Sequence, residues 1–271
     1  MVGLGTKYFY QIGAGDEASP VFHFRSQVTQ ATLAENLPQR HVIYGDMGTA
    51  CAFTLCPSCT CNLTCDAVAC AKNHSVGLVT EMGLYSDGED DATMILHVGD
   101  FAYNMDDDNG RVGDQFFRNI EQIAAYVPYM VSIGNHENSG IGLAHFTESF
   151  RLMPVNSGAQ VKTQNGQAPN NWYYSWDDGL VHYVAISTEL YSEAGSIETG
   201  VDVFSQHTWL AEDLKKANDN RQQVPWIVVH GHRSLYCSCD GDCDAGALLL
   251  RAGLEKLLFD NGVDLFLNGK T

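Results

Sequence analysis

Hydrophobic and polar positions alternate along the first forty residues, as they do in β-strands. Tyr8, Tyr10 and Ile12 occupy every second position, and Phe22 and Phe24 do the same after the turn-like segment GAGDEASP. The pattern predicts a β-hairpin, and an isolated hairpin is marginally stable in water. We interpret it either as the end of a larger β-sandwich or as a hairpin packed on the domain that follows.

After the hairpin, continuous apolar runs alternate with stretches of helical periodicity. The runs HVIYG, MILHVG and YVPYMVSIG each predict a buried strand. The clearest helix is predicted over 115–125, with Phe116, Phe117, Ile120 and Ile123 on one face. This alternation predicts an α/β fold.

The second half of the chain continues the α/β pattern. It predicts strands over 172–176 and 181–187 joined by a DDG turn, a helix over 206–217, a strand over 226–230, a helix over 247–259 and a strand over 263–267. No internal repeat and no long linker interrupts it.

Polar side chains follow the predicted strands at the points where they end. Asp46, Asp100, Tyr103, Asn135 and His136 follow the first three strands, and the string PWIVVHGHR adds two histidines after a fourth. In open α/β sheets, ligands bind at the carboxyl ends of the strands. Carboxylate, phenol, amide and imidazole groups together suit hard or borderline metals. The sequence therefore predicts the metal centre of a hydrolase.

Each type of donor in this set has a distinct role in a metal centre. A carboxylate such as that of Asp100 can bridge two cations, one on each oxygen. The phenol of Tyr103 binds a metal well only when deprotonated, which implies a strongly acidic ion such as Fe(III). Asn135 offers a neutral oxygen and His232 an imidazole, which together favour a divalent ion.

Composition narrows the possible partners. The chain has 271 residues, 45% of them hydrophobic, and a formal net charge of −18. An acidic body argues against nucleic acid as a partner, because phosphate backbones require a basic surface. A small phosphate ester is still compatible with it when metal ions reverse the local field. No apolar run is long enough for a membrane span.

Nine cysteines form two clusters, over 51–70 and 237–243, and the sequons at Asn62 and Asn73 lie in or beside the first. Dense cysteines with sequons favour disulfides in an oxidising compartment over a zinc knuckle, although both are open. The odd number leaves one thiol free or paired outside this chain. A secreted or lysosomal/vacuolar glycoprotein is predicted, although the first residues do not read as a signal peptide.

The strings GDMG, GDFAY, GNHE and VHGH resemble the motifs of the purple acid phosphatases, a branch of the calcineurin-like metallophosphoesterases. The resemblance extends from about Thr6 to Leu267. It implies a metallophosphoesterase-type sandwich of mixed β-sheets flanked by helices, over residues 41–271. Residues 1–40 would be the remnant of an N-terminal fibronectin-like β-domain.

The resemblance also implies an activity, the hydrolysis of small phosphomonoesters at acidic pH. On this resemblance, a dinuclear centre of Fe(III) and a divalent Fe, Zn or Mn ion would supply the hydroxide that attacks phosphorus. Asp46 and Tyr103 would bind the Fe(III), Asp100 would bridge, and Asn135 and His232 would bind the divalent ion. His136 would contact the phosphate or assist the leaving group.

Other residues of the motifs receive weaker roles from the resemblance. His230 does not match a ligand position and is expected to lie in the core or behind the ligands. Glu137 and Arg233 flank the ligands and are expected to shape the pocket.

The chain departs from the family pattern after its last predicted strand. The family motif GHxH supplies one histidine to each metal, and Lys270 stands where the first of them belongs. The chain is therefore expected to lack this C-terminal end, which leaves three ligands for each metal. The alternatives are a catalytically impaired fragment or a non-catalytic secreted glycoprotein domain. A phosphodiesterase of the wider superfamily is less favoured, because Tyr103 marks the purple branch.

Overall fold

A computed structural model describes residues 6–15, 17–26, 39–48, 92–138, 144–151, 153, 156–157, 161–163, 166–168, 170–191, 202–236 and 244–270. All nine cysteines and both sequons lie outside these residues. The disulfide, zinc and glycosylation hypotheses therefore stay predictions.

The N-terminal segment forms the predicted hairpin. Its strands are β1 (Lys7–Tyr10), β2 (Gly13–Ala14), β3 (Glu17–Ala18) and β4 (Phe22–Arg25), with β1 antiparallel to β4 and β2 antiparallel to β3. The Tyr10 hydroxyl donates to the Ala125 carbonyl at 2.8 Å, and the Phe22 ring meets Tyr126 edge-on. The hairpin thus packs on the α/β body, and its origin in a fibronectin-like domain stays a prediction.

Three parallel strands make the first sheet of the body, in the order β5-β6-β7. They are β5 (His41–Tyr44), β6 (Met94–Val98) and β7 (Tyr129–Ser132). Helices α1 (Arg111–Ala124) and α2 (Ala144–Ser149) cover one face, where Phe116 and Phe146 pack against Phe101 and Val131.

The second sheet has five strands in the order β14-β13-β12-β11-β8. The elements of this half are β8 (Asn156–Ser157), a separate pair β9 (Val161–Thr163) and β10 (Gly166–Ala168), β11 (Tyr174–Asp178), β12 (Val181–Ala185), α3 (Val203–Asp219), β13 (Trp226–His230), α4 (Asp244–Leu250), α5 (Lys256–Asp260) and β14 (Leu265–Leu267). Strands β12, β13 and β14 are parallel, whereas β11 is antiparallel to both neighbours.

The two sheets face each other and bury a shared core. Leu96 and Met130 from the first sheet meet Tyr183 and Val228 from the second. On its other face, the second sheet packs against α3 and the α4–α5 segment, through a cluster that contains Val184, Val229, Leu210, Leu214, Leu250, Leu254 and Leu258. The molecule is a helix–sheet–sheet–helix sandwich with mixed strand directions, which confirms the predicted fold class.

Several boundaries differ from the predictions for local reasons. Helix α3 begins three residues early because the Asp202 side chain accepts a hydrogen bond from the Ser205 N–H at 2.7 Å, an N-cap. Strand β11 continues through the two aspartates of DDG, so the turn consists of Gly179, with φ of 60°, and Leu180.

Other differences concern regularity. The predicted helix over 247–259 contains a π-helical turn at Arg251–Glu255. The short strands β2, β3, β8, β9 and β10 are too brief to leave a periodic pattern. No helix in the described ranges combines the length and the hydropathy of a membrane span.

Candidate metal centre

The predicted site residues lie together at the carboxyl ends of parallel strands. Asp46 and Asp100 each lie two residues after β5 and β6, and His232 lies two residues after β13. One ligand atom from each of these three side chains lies within 4.8 Å of the other two. Two sheets thus contribute donors to one point, each from the carboxyl ends of its parallel strands.

The backbone turns sharply at three of these residues. Asp46, Asp100 and Tyr103 have φ of 57°, 56° and 53°, a left-handed region that non-glycine residues rarely occupy. Such conformations cost about 1–3 kcal/mol each and persist where the surroundings fix them. Here the Asp46 N–H donates to Gly99 O at 3.0 Å and the Met47 N–H donates to Asp100 O at 3.0 Å. The two aspartate loops therefore hold each other in the strained form.

Two glycines let the loops approach closely. A Cβ on Gly99 would lie 2.7 Å from the His232 Nδ1, and a Cβ on Gly134 would lie 2.3 Å from the Asp100 Oδ1. Any other residue at either position would push the ligands apart. The glycines of the GD and GN strings are thus explained by close packing of the donors.

Glu137 connects the loop that follows β6 to the loop that follows β7. Its buried carboxylate accepts hydrogen bonds from the N–H groups of Asp100 at 2.9 Å, Phe101 at 3.0 Å and Gly134 at 2.8 Å. Burial, together with the nearby charge of Asp100, raises the pKa of Glu137 to about 7. Glu137 is therefore a positioning residue for Asp100 and the Gly134–Asn135 turn.

The fully buried His232 shows why this cluster suits a cation. Its Nδ1 lies 2.9 Å from the Val98 carbonyl, which can only accept, so Nδ1 carries the proton. Its Nε2 faces Asn135 Oδ1 at 3.1 Å and Asp100 Oδ2 at 3.3 Å. Both of these atoms are acceptors, so Nε2 is either protonated or directed at a cation. The residues fit a metal ion.

The charges around His232 also favour a positive charge at this point. Burial lowers the pKa of His232, but the bond to Asp100 and the charges of Asp46 and Glu189 outweigh it and raise the pKa. Burial likewise raises the pKa of Asp100, but its contacts with His232 and His136 outweigh this effect and lower it. The cluster favours positive charge at its centre.

Tyr103 is bound within the same cluster. Its hydroxyl donates to Asp46 Oδ1 at 2.8 Å, and burial together with this carboxylate raises the pKa of the phenol well above its ordinary value. Direct coordination by Tyr103 would therefore require a strong Lewis acid to replace the proton.

His136 faces the centre from one side, next to the Tyr103 ring at a centroid distance of 4.5 Å. Its Nδ1 lies 3.1 Å from Asn104 Oδ1, and the Asn104 amide nitrogen donates to Asp107. This relay makes Nδ1 the donor and leaves Nε2 at 4.0 Å from Asp100 Oδ2. The side chain is 35% exposed and open to a ligand.

Sequence reasoning missed Asn104. The available signal was its position directly after Tyr103 and its type, since Asn tolerates the left-handed backbone, here with φ of 80°.

The two remaining residues singled out by the sequence are structural. His230 is buried, contacts Ser132 Oγ through Nδ1 at 2.6 Å and has a pKa that burial lowers to about 3. It belongs to the core, as expected from its mismatch with the ligand positions. The Arg233 guanidinium forms a two-pronged ion pair with Glu189, with contacts of 2.7–2.9 Å. It supports the wall of the site through that pair.

Two packed sheets between helices, with oxygen and nitrogen donors gathered at the carboxyl ends of parallel strands, are the arrangement of a metallophosphoesterase-type protein. The profile of the calcineurin-like phosphoesterases matches residues 78–269, and the chain belongs to this family. The resemblance inferred from the motifs is confirmed.

Individual relatives of this chain carry a more specific description than the family does. Acid phosphatase type 7 from Danio rerio is 39% identical over 201 residues, which cover 69% of this chain and 40% of that protein. The Homo sapiens protein of the same description is 35% identical over 271 residues, which cover 96% of this chain and 51% of that protein. The chain thus spans about half the length, or less, of these relatives.

A solved structure supports the fold. The purple acid phosphatase PPD1 from yellow lupin seeds superposes with a TM-score of 0.65 at 22% identity, over 98% of this chain and 44% of that chain.

Proposed function

We propose that this chain forms the catalytic part of an acid phosphatase that hydrolyses small phosphomonoesters at a dinuclear metal centre. The observation that carries the proposal is the convergence of Asp46, Asp100 and His232 within 4.8 Å, with the His232 Nε2 facing two oxygens. Family membership and the acid phosphatase relatives support the reaction class.

The family resemblance and the donor types together support one distribution of the metals. Asp46 and Tyr103 would hold Fe(III), Asn135 and His232 would hold a divalent Fe, Zn or Mn ion, and Asp100 would bridge the two. When bound, such ions supply Lewis-acid activation of water and neutralise charge on the phosphoryl oxygens.

His136 serves the substrate in this proposal. The Asn104 relay engages its Nδ1, which leaves the Nε2 of this partly exposed side chain available to a phosphate. Protonated at Nε2, His136 binds a phosphoryl oxygen or delivers a proton to the leaving alcohol. The acidic body is compatible with a small phosphate ester when bound metal ions reverse the local field, and the cysteines and sequons favour a secreted or lysosomal/vacuolar setting.

Metal content, a visible spectrum and phosphatase assays test the proposal. The chain, loaded with iron and zinc, is expected to hold two metals, absorb in the visible and hydrolyse p-nitrophenyl phosphate faster at pH 5 than at pH 8. It should prefer this monoester to bis(p-nitrophenyl) phosphate, whereas the opposite preference would favour a phosphodiesterase. As a control, Asp219→Asn removes an exposed carboxylate on α3, away from the centre. It should leave metal content, the visible spectrum and phosphatase activity unchanged.

A second candidate function is supported by one contact. The Lys270 ammonium donates to Asn135 Oδ1 at 2.8 Å, where a divalent ion would bind. A chain that kept this contact permanently would be a catalytically impaired or non-catalytic glycoprotein domain. Absence of metal and of turnover in the loaded chain would favour this candidate and overturn the first.

A further inference from the structure

Lys270 lies against the centre because its backbone is fixed there. Its own N–H and that of Gly269 both donate to the His232 carbonyl, at 2.8 and 3.0 Å, and its carbonyl accepts from the Ser234 hydroxyl at 2.9 Å. The segment after β14 is thereby tied to the segment after β13. This pairing fixes the backbone from which the Lys270 side chain extends toward the centre.

The ammonium of Lys270 meets an atom that is already engaged. Asn135 Oδ1 lies 2.8 Å from the Lys270 Nζ and 3.1 Å from the His232 Nε2. An ammonium has three donors and no lone pair, so it can occupy a position next to an oxygen but cannot coordinate a metal. At this point the chain supplies its own positive charge.

A divalent cation bound to Asn135 and His232 would lie close to the same point. Two cations a few ångströms apart repel strongly where burial reduces screening, and His232 is fully buried. The two cations would also compete for the same amide oxygen of Asn135, which interacts more strongly with one cation than with two. Binding of that metal therefore requires the ammonium to leave.

We infer that Lys270 competes with the second metal ion for Asn135 and so regulates the occupancy of the divalent position. This inference rests on the proposed dinuclear function and adds the order in which the two metal positions are filled. The position at Asp46, Asp100 and Tyr103 loads first, and the position at Asn135 and His232 loads only when Lys270 swings away.

The test titrates Zn²⁺ into the iron-loaded chain by calorimetry, with iron and zinc counted by elemental analysis. Lys270→Met keeps the length of the side chain and removes its charge, so it should bind Zn²⁺ at least about tenfold more tightly. Lys270→Arg keeps the charge and should bind as weakly as the wild type. Lys256→Met, an exposed lysine on α5, is the matched control and should have no effect.

The outcomes separate this inference from the function beneath it. Equal Zn²⁺ affinity in the wild type and Lys270→Met, with iron bound in both, would overturn the competition and leave the metal centre standing. Failure of the wild type and all variants to bind either metal would overturn the proposed function, and the competition with it. Far-UV circular dichroism of each variant establishes that the comparison concerns folded protein.

Discussion

The candidate metal centre and a second cluster of histidine and carboxylates among the described residues are built in opposite ways. At the candidate metal centre, Asp46, Asp100 and His232 direct ligand atoms toward one another. In the other cluster, His182 on β12 lies between two carboxylates on opposite sides of its ring. Three ligand atoms that converge on one point can share a cation, whereas an imidazole between two separate carboxylates is satisfied by its own two protons.

The His182 cluster shows how such an arrangement is satisfied internally. Its Nδ1 contacts Asp177 on β11 at 2.6 Å, and its Nε2 contacts Asp213 on α3 at 3.0 Å. The other oxygen of Asp213 accepts from Ser175 at 2.9 Å and from Asn156 at 2.8 Å. Both ring nitrogens face acceptors, so the protonated imidazolium satisfies the whole network.

The backbone distinguishes the clusters as clearly as the side chains do. His182, Asp177 and Asp213 lie within regular strands and a helix. Asp46 and Asp100 instead lie on loops in the left-handed region. Backbone strain at two of the three converging residues is typical of a ligand site, where strained conformations cluster.

One Asp→Asn substitution in each cluster should give the largest effects on metal binding and on stability. Asp100→Asn removes the ligand shared by both metal positions, so metal affinity should fall by at least about 100-fold, and phosphatase activity with it. Asp213→Asn should leave metal content intact but lower the free energy of unfolding by about 3 kcal/mol, because it breaks a buried ion pair.

Elemental analysis and urea unfolding of both variants decide this comparison. Wild-type metal content in Asp100→Asn would show that the convergence is not a metal site. Loss of metal in Asp213→Asn would erase the distinction between the clusters.

Glu137 offers the next largest effect, since it is a buried carboxylate at the centre that faces N–H donors. Glu137→Ala leaves three buried N–H groups without their acceptor, so stability should fall by about 3 kcal/mol or more. Loosening of the Asp100 loop should also weaken metal binding by about 10–100-fold. Glu121→Ala, at an exposed position of α1, is the control, and an equal loss in both would remove the positioning role.

The sequence predicted the centre better than it predicted the geometry around it. That Asp46, Asp100, Asn135 and His232 lie close together could be predicted because each follows an apolar strand, and ligand-binding side chains gather at the carboxyl ends of strands in α/β folds. The His182 cluster escaped notice because Asp177, His182 and Asp213 belong to different elements, and their meeting depends on how α3 packs on the sheet.

Fine local structure was also beyond the sequence pattern. The turn at Gly179–Leu180 and the three N–H bonds of Glu137 depend on register and loop approach, which apolar periodicity does not encode. Lys270 lies between these two cases. The motif pattern placed it where the first histidine of GHxH belongs, but its bond to Asn135 is visible only in the folded structure.

The pH dependence of stability should separate the clusters at a smaller scale. Contacts with Asp213 and Asp177 raise the pKa of His182 despite its burial, which acts to lower it. A raised folded pKa gives stability that is fully present below the unfolded value of about 6.5 and is lost as pH rises through the folded pKa.

His182→Gln should therefore destabilise the chain by about 1–3 kcal/mol at pH 5 and by less at pH 9. Urea unfolding at the two pH values measures the difference. Asp177→Asn, whose side chain is half exposed, should cost less than His182→Gln. A pH-independent loss in His182→Gln would show that the imidazolium is not the stabilising form.

Tyr103→Phe should produce the smallest change in stability and the most specific change in spectrum. The lost hydrogen bond to Asp46 is worth about 1 kcal/mol, while the ring keeps its contact with His136. In the iron-loaded chain, the visible band should vanish, because charge transfer from a phenolate to Fe(III) requires the tyrosine oxygen. Tyr126→Phe, outside the centre, should keep the band. If the band survived in Tyr103→Phe, then Tyr103 would be a hydrogen-bond donor to Asp46 and not a ligand, and the convergence would consist of carboxylates and imidazole alone.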